Sequence, residues 1–422
     1  MGPAYIVIAA FLWALDGLLR RSLQTLPPLT IVFLEHLVGL LLLLPFLPGI
    51  FKEVRKFPAR DVAWSAWIAL FSGVLGTLWF TIALLEVQFI PFSVVFLLQK
   101  LQPVFVFLAS IFFLGERPKR ARFYWSAVAI VAAYFVTFPL GKVDFNTGAG
   151  TVTAALYALG AAFAWGTSTV FSRLLLQNQS YKASLFMRFA LASVIAGLLF
   201  IAMPAQQAVV QVSFEQMRTL FLIALSTGMV ALGLYYKGLA KTSPSVATVL
   251  ELVFPVTAVL IDVFANDVVL HTSQYIAALV LFYAATHVVR LGKDGLPMFF
   301  RSVKVKGDGR GKQLGFPTIN LHIPWNLVLT SGIYACWITI DGTRYAGALH
   351  FGSVPTFDKV ERTLEIYVLT DEDLPNEKIK KAQISVEVVS KLREVIKFED
   401  VKDLKKQIAQ DVDNSRALGV RV

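Results

Sequence analysis

Cysteine is almost missing from the sequence. Cys336 is the only one in 422 residues, so no intrachain disulfide can form and no cysteine metal centre exists. Charge is also scarce over most of the chain: residues 1–295 carry 20 Lys/Arg and 12 Asp/Glu, whereas the remaining 127 carry 19 and 16. Lipid is the implied surrounding of the first region and water that of the second. The N-terminus lacks a basic n-region and a small-residue cleavage site, and enters an apolar run at once, which reads as a first membrane span and not as a removed signal. A basic face for nucleic acid is missing too. Of the net charge of +11, the apolar region contributes +8 and the polar region +3, so a pI near 9.6 reflects charge in loops. No nucleic-acid partner is expected.

Apolar residues are plentiful, at 56% of the chain, with a mean hydropathy of +0.65. Crossing about 30 Å of hydrocarbon takes roughly 20 mostly apolar residues. Such stretches recur near 3–19, 29–50, 63–84, 92–114, 122–139, 151–172, 183–203, 217–236, 245–265 and 272–291. Ten spans place both termini on one side of a lipid bilayer. With the N-terminus inside, the inner loops hold Lys52, Arg55, Lys56, Arg60, Arg117, Lys119, Arg120, Arg122, Arg173, Lys182, Lys237 and Lys241, and the outer loops only Arg20, Arg21, Lys142 and Arg218. The positive-inside rule then predicts a multi-pass protein of the cell (inner) membrane, with both termini and the polar region in the cytoplasm, a reducing setting that suits a lone cysteine.

The apolar region repeats itself. A shift of 152 residues lays Phe11-Leu12-Trp13-Ala14 on Phe163-Ala164-Trp165-Gly166, Arg21 on Arg173, Gly76 on Gly228, Ser93 on Ser245 and Pro103 on Pro255. Five spans map onto five, and an odd number makes the second copy cross in the opposite sense, an inverted repeat with a substrate path between the copies. Ionisable residues at membrane depth are costly and usually face a cavity or one another. Asp16, Glu35, His36, Lys100, Arg188, Glu251 and Asp262 are of this kind. The shift pairs His36 with Arg188 and Gln99 with Glu251, the last two each four residues before a proline. Gln99, Lys100, Glu251 and Arg188 are the candidate transport-path residues, with an interhelical structural pair as the alternative role. Glu35 and Asp262 read as interfacial, and Trp13 and Trp165 as packing or interfacial aromatics.

With its paired repeats, the Leu101-Gln102-Pro103 and Val253-Phe254-Pro255 turns and Leu114-Gly115-Glu116 closing the fourth span, the region over residues 3–291 resembles the drug/metabolite transporter superfamily, in its ten-helix EamA-type branch. The second copy departs from the closing motif, reading Ala265-Asn266-Asp267. The resemblance implies an all-α polytopic architecture with repeats at about 3–139 and 151–291, and leaves the substrate open.

Residues 292–297 read as a linker, Gly292-Lys293-Asp294-Gly295-Leu296-Pro297. Beyond it the β-rich runs Phe299–Lys306, Ile333–Ile340, Tyr345–Phe351, Thr363–Leu369 and Ile384–Leu392 predict a small antiparallel barrel over residues 298–422. Val401, Leu404, Ile408 and Val412 then recur at helical spacing, which predicts a C-terminal helix laid on the barrel. Between the first two runs, Gly307, Gly309, Gly311 and Gly315 allow backbone N–H groups close to an anion, with Arg310 and Lys312 beside them. This is no Walker loop, because Gln313 follows Lys312. Pro317-Thr318-Ile319-Asn320 adds a rigid proline and two oxygen-bearing side chains suited to Mg²⁺ with phosphate.

The ordered set from this loop through Gly332-Ile333-Tyr334, Gly352-Ser353-Val354-Pro355-Thr356-Phe357, Leu364-Glu365-Ile366-Tyr367, Leu392-Arg393 and Gln407 to Asp411 resembles the riboflavin kinase family over residues 299–417. The resemblance implies that ATP and riboflavin give FMN and ADP. It further implies that Thr318 and Asn320 hold Mg²⁺ (or Mn²⁺) with the nucleotide phosphates and that Glu365 is the base for the ribityl 5′-hydroxyl. Tyr334, Phe357 and Arg393 are the candidate flavin neighbours. His350 stands where the family usually has Asn, Ser302 where glycine is common and Pro375-Asn376 where Tyr-Gly is typical. No nucleotidyltransferase module is recognisable, so FMN is the expected end product. The combined reading is a membrane riboflavin kinase coupled to riboflavin uptake. Two alternatives stay open at this point: a transporter of an unrelated metabolite with a tethered kinase, and a non-catalytic flavin sensor gating the transporter. A homodimer is compatible with the sequence.

Overall fold

The computed structural model describes residues 2–87, 94–145, 150–203, 212–266, 269–293, 298–307, 309–354, 356, 359–370 and 383–419. The chain divides into two compact units, Met1–Ser110 with Ala121–Val289, and Ile111–Arg120 with Arg290–Val422.

The first unit is helical. Its segments, of which only the last residues of α4, the first of α5 and the last of α10 fall in the second unit, are α1 (Gly2–Arg21), α2 (Pro28–Val54), α3 (Ala59–Glu86), α4 (Val94–Leu114), α5 (Arg120–Thr137), α6 (Thr151–Asn178), α7 (Tyr181–Ala202), α8 (Phe214–Leu239), α9 (Pro244–Asn266) and α10 (Thr272–Leu291). Eight of them are long and apolar enough to cross a bilayer. The apolar part of α1, Gly2–Gly17, is shorter, and α5, which opens on Arg120 and Arg122, is not among the eight. Of the ten expected spans, eight therefore meet that requirement among the described residues.

The irregular points of these helices follow the repeat. α4 is interrupted at Lys100 and Leu101, between half-helices Val94–Gln99 and Gln102–Leu114, and α9 is interrupted at Leu252, between Pro244–Glu251 and Val253–Asn266. Pro103 and Pro255 lie just beyond the breaks; each lacks an N–H and its ring crowds the preceding turn. Each first half-helix therefore ends on a polar residue, Gln99 or Glu251. α3 and α8 also widen into π-helix, over Ile68–Gly76 and Ala224–Val230. The indole of Trp165 donates to Ser72 O (3.3 Å), and that of Trp13 to Thr227 O (3.0 Å). Each copy's first helix thus fastens a tryptophan to the widened segment of the other copy.

The second unit holds a six-stranded antiparallel sheet, ordered β1-β6-β3-β4-β5-β2, from β1 (Met298–Ser302), β2 (Thr318–Asn320), β3 (Gly332–Ile340), β4 (Thr343–Val354), β5 (Lys359–Leu369) and β6 (Ile384–Arg393). Its two edges approach just past β1 and β2, where Val305 N donates to Asn320 O (2.8 Å) and His322 N to Val303 O (2.9 Å). The result is a strongly curled half-barrel. Strand alternation buries Ile338, Leu349, Leu364, Ile366, Ile384 and Val386 in one core. The β3–β4 hairpin turns on Asp341 and Gly342, both at positive φ (49° and 81°), as a two-residue turn matching strand twist requires. Two helices complete the unit, α11 (Arg310–Leu314) and α12 (Val401–Gly419). In α12 Val412 is buried and Leu404 and Ile408 are half-buried, as their spacing predicts; Asp411 and Ser415 are buried beside them, whereas Val401 is 47% exposed. A paired aspartate takes an inward position that a count of apolar residues does not register.

Candidate functional site

The motif after the glycine-rich loop folds as β2, a strand too short to be legible as one in the sequence. Side-chain alternation turns Ile319 into the core and leaves Thr318 and Asn320 on the opposite face. β2 pairs with β5 in a register that sets Thr318 against Tyr367 and Asn320 against Glu365. On β5, Leu364, Ile366 and Val368 are buried in the core, so Glu365 emerges on the face that carries Thr318 and Asn320. Thr318 Oγ1 donates to Glu365 Oε2 at 3.1 Å. From the other side β4 places His350 opposite Glu365.

The loop backbone is held against these residues. Gly309 (φ 72°) and Gly315 (φ 88°) bracket α11 in the left-handed region, where a side chain is strained. A Cβ on Gly311 would meet Phe316 O and lie 3.0 Å from Thr318 Oγ1, and one on Gly307 would overlap the Asn320 amide. Gly309, Gly311, Thr318, Asn320, Glu365 and His350 line a cavity of about 170 Å³, closed on its far side by Arg393 and α12. Lys312 and Pro317 are exposed and do not line it. The Arg310 side chain and Phe357 lie outside the described residues, as do Pro375 and Asn376. Tyr334 sits in the core, its hydroxyl donating to Thr330 O at 2.6 Å, and does not line the cavity. Arg393 does line it, gripped by Asp411 of α12 at 2.9 Å (Nε to Oδ1) and 2.6 Å (Nη2 to Oδ2).

Burial lowers the pKa of His350 below the usual imidazole value; the Glu365 carboxylate pulls the other way, less strongly. A neutral imidazole therefore faces Glu365. The Cys336 thiol is driven up by burial and lies in the core, which removes it as a nucleophile. Among the described residues no group of three or more His, Cys, Asp or Glu side chains forms a metal cage. The oxygens of Thr318 and Asn320 are hard donors of the kind that could hold a magnesium ion.

In the helical unit Gln99, Lys100, Arg188 and Glu251 all line one cavity of about 350 Å³. The breaks in α4 and α9 bring Gln99, Lys100 and Glu251 there, and α7 brings Arg188. Glu251 accepts from Tyr235 Oη (2.6 Å) and Gln102 Nε2 (3.0 Å), Lys100 Nζ stands 5.0 Å from the centroid of the Phe254 ring, and Arg188 reaches Tyr236 Oη at 3.4 Å. Two expectations are corrected. Arg20, assigned to an outer loop, is 4% exposed and lines the cavity, because Asp16 and Glu35 neutralise it at 2.8 and 3.0 Å. Glu35 is for the same reason buried and not interfacial. Trp13 and Trp165 pack as expected, against Tyr235 and Phe80, and also line the cavity. His36 bonds Val32 O in its own helix and is not part of the lining, and the Asp262 side chain lies outside the described residues. Two buried polar atoms of lining residues, Arg20 Nη1 and Gln99 Oε1, have no hydrogen-bond partner among the described residues. A donor and an acceptor thus remain for a ligand.

The EamA-like transporter family model matches the chain twice, over residues 1–138 and 152–290, and the riboflavin kinase family model matches residues 294–418. The double match coincides with the internal repeat. Among curated proteins, the riboflavin transporter ImpX of Fusobacterium nucleatum is 32% identical over 304 residues, covering 69% of this chain and 98% of that protein. The bifunctional riboflavin kinase/FMN adenylyltransferase of Bacillus subtilis is 30% identical over 121 residues, or 28% of this chain and 37% of that protein. The chain therefore spans little more than a third of that relative. A solved crystal structure at 19% identity and a TM-score of 0.55 covers 68% of this chain and 96% of the other, a likeness of fold alone.

Proposed function

Because the chain belongs to the EamA-like transporter family and carries a riboflavin kinase family domain, we propose that it takes up riboflavin, or a close flavin precursor, and phosphorylates it to FMN in the cytoplasm. The observation that carries this reading is the union in one chain of a transporter unit, similar to a named riboflavin transporter over nearly that protein's full length, with a site that gathers Thr318, Asn320 and Glu365. The inner-loop bias of Lys and Arg supports a cytoplasmic kinase, on the side where ATP is available.

Phosphoryl transfer needs in-line placement, neutralisation of phosphate oxygens and an acceptor for the alcohol proton. Glu365 takes the proton of the ribityl 5′-hydroxyl as its oxygen bonds to the γ-phosphorus and the bond to the ADP oxygen breaks. Gly309 and Gly311 leave the loop backbone free to approach the phosphates. Thr318 and Asn320 hold Mg²⁺ (or Mn²⁺) with the nucleotide, and the ion, when bound, neutralises phosphate charge. Thr318→Ala or Asn320→Ala should accordingly raise the Mg-ATP KM roughly tenfold or more, the equivalent of about 1.4 kcal/mol, with a smaller effect on riboflavin KM. Unchanged nucleotide kinetics would remove both from the metal site.

His350 gives a pH test. Its pKa in the folded protein is depressed, so it is neutral at neutral pH and becomes charged only on acidification. The cation so formed would pair with Glu365 and compete with the substrate proton for the carboxylate. Activity should fall on the acid side, and His350→Asn should hold its rate to lower pH than wild type. Superimposable acid limbs in the two pH profiles would show that His350 has no such influence.

Phosphorylation also explains why the two units share a chain. Riboflavin is neutral and can leave as it came, whereas FMN carries a phosphate whose burial without a partner costs several kcal/mol. Covalent attachment raises the local concentration of kinase. Cells without another flavin supply should accumulate labelled flavin as FMN when given the intact protein, and reach a lower total level, all of it unphosphorylated, when given Glu365→Gln. Equal accumulation in both would rule out trapping by phosphorylation.

A further inference from the structure

Among the described residues three carboxyl groups line the cavity of the helical unit, and two of them share a cation. Asp16 and Glu35 meet Arg20 at 2.8 and 3.0 Å. The third, Glu251, holds only neutral donors, Tyr235 Oη at 2.6 Å and Gln102 Nε2 at 3.0 Å, and among the described residues no Lys, Arg or His side chain is paired with it. The remaining charged groups of the lining have other neighbours: Arg188 of α7 reaches Tyr236 Oη, and Lys100 lies over the Phe254 ring. An ionised carboxylate at membrane depth without a cation is costly, whereas its protonated form is not.

The internal repeat sharpens this observation. Glu251 ends the first half of α9, as Gln99 ends the first half of α4, and the two are related by the 152-residue shift. One copy thus carries a permanently neutral amide where the other carries its titratable counterpart, each beside a helix break. Such breaks are where transporters bind coupling ions.

Resting on the riboflavin-uptake reading, we propose that Glu251 is the proton-binding site that couples flavin uptake to the proton gradient. The carboxyl group gains a proton when the cavity is open outward and releases it inside along with the flavin. The proton moves down its gradient without bond chemistry in the flavin. Accumulation against a concentration difference then needs no ATP, and phosphorylation acts after it.

The test uses the full-length protein in liposomes without nucleotide, with labelled riboflavin outside. A pH gradient of one unit, alkaline inside, should drive accumulation up to about tenfold above equilibrium if one proton accompanies each flavin. A protonophore should abolish it, and riboflavin addition should make the medium more alkaline. Glu251→Gln should lose both the accumulation and the alkalinisation; whatever rate of riboflavin exchange it keeps should not respond to the gradient. Should that variant fail to fold, the wild-type proton movement decides alone. Riboflavin exchange by the wild type with no gradient-driven accumulation, or accumulation retained by Glu251→Gln, overturns the proton site and leaves riboflavin transport standing. Absence of any riboflavin exchange by the wild type overturns the transport reading and this inference with it.

Discussion

Replacing Glu365 by glutamine in the full-length protein should lower FMN formation roughly 10²–10⁴-fold, the usual contribution of a positioned general base, while riboflavin binding persists. The substitution is nearly isosteric. The amide oxygen can still accept the Thr318 hydroxyl, which bonds Glu365 Oε2 at 3.1 Å, so the site should keep its shape and lose only its proton acceptor. The loss should therefore appear in kcat, with a riboflavin Kd from flavin fluorescence close to that of the wild type. Turnover within a few-fold of wild type would remove Glu365 from the base role. A large rise in Kd would instead make it a flavin ligand.

The second large effect concerns stability. Arg393 and Asp411 form a bidentate pair with side-chain exposures of 17% and 5%, which ties the end of β6 to α12 along one wall of the cavity. Arg393→Ala would leave the buried Asp411 carboxylate with Gln407 Nε2, at 3.2 Å, as its remaining side-chain donor. Breaking a buried pair from one side costs about 3–5 kcal/mol, a large share of the roughly 5–15 kcal/mol that holds a domain folded. The urea concentration that abolishes kinase activity should drop accordingly. Combining Arg393→Met with Asp411→Leu should recover much of the stability, because an apolar pair of similar volume needs no counter-charge. If Arg393→Ala leaves the urea midpoint unchanged, the pair is not what holds α12.

Much of this arrangement was legible in the sequence, and what was not has definite physical reasons. The repeat and its prolines located the breaks in α4 and α9, and with them Gln99, Lys100 and Glu251, because a missing N–H acts locally. Alternation along Leu364–Leu369 pointed Glu365 away from the core for an equally local reason. Arg20 was misplaced: its counter-charges come from Asp16 on the same helix and Glu35 on another, and hydropathy assigns a cation at a helix end to a loop. The packing role of Trp13 and Trp165 is legible from their place in the repeat, but their partners are not, because these are π-helical segments of the opposite repeat, 214 and 93 residues away along the chain. β2 is not legible, because three residues are too few to show a period. In the sequence His350 stands out only as a departure from the family pattern, and its place opposite Glu365 depends on the β4–β5 register.

The central claim, that one chain imports riboflavin and converts it, is tested most directly in sealed vesicles carrying the purified full-length protein, loaded with Mg-ATP and given labelled riboflavin outside. Labelled FMN should build up inside with internal Mg-ATP, to a total flavin level above that reached without it, and Glu365→Gln vesicles should take up riboflavin without forming FMN. Vesicles that admit no more riboflavin than protein-free controls, under any imposed gradient and with a kinase active in detergent, would contradict the account.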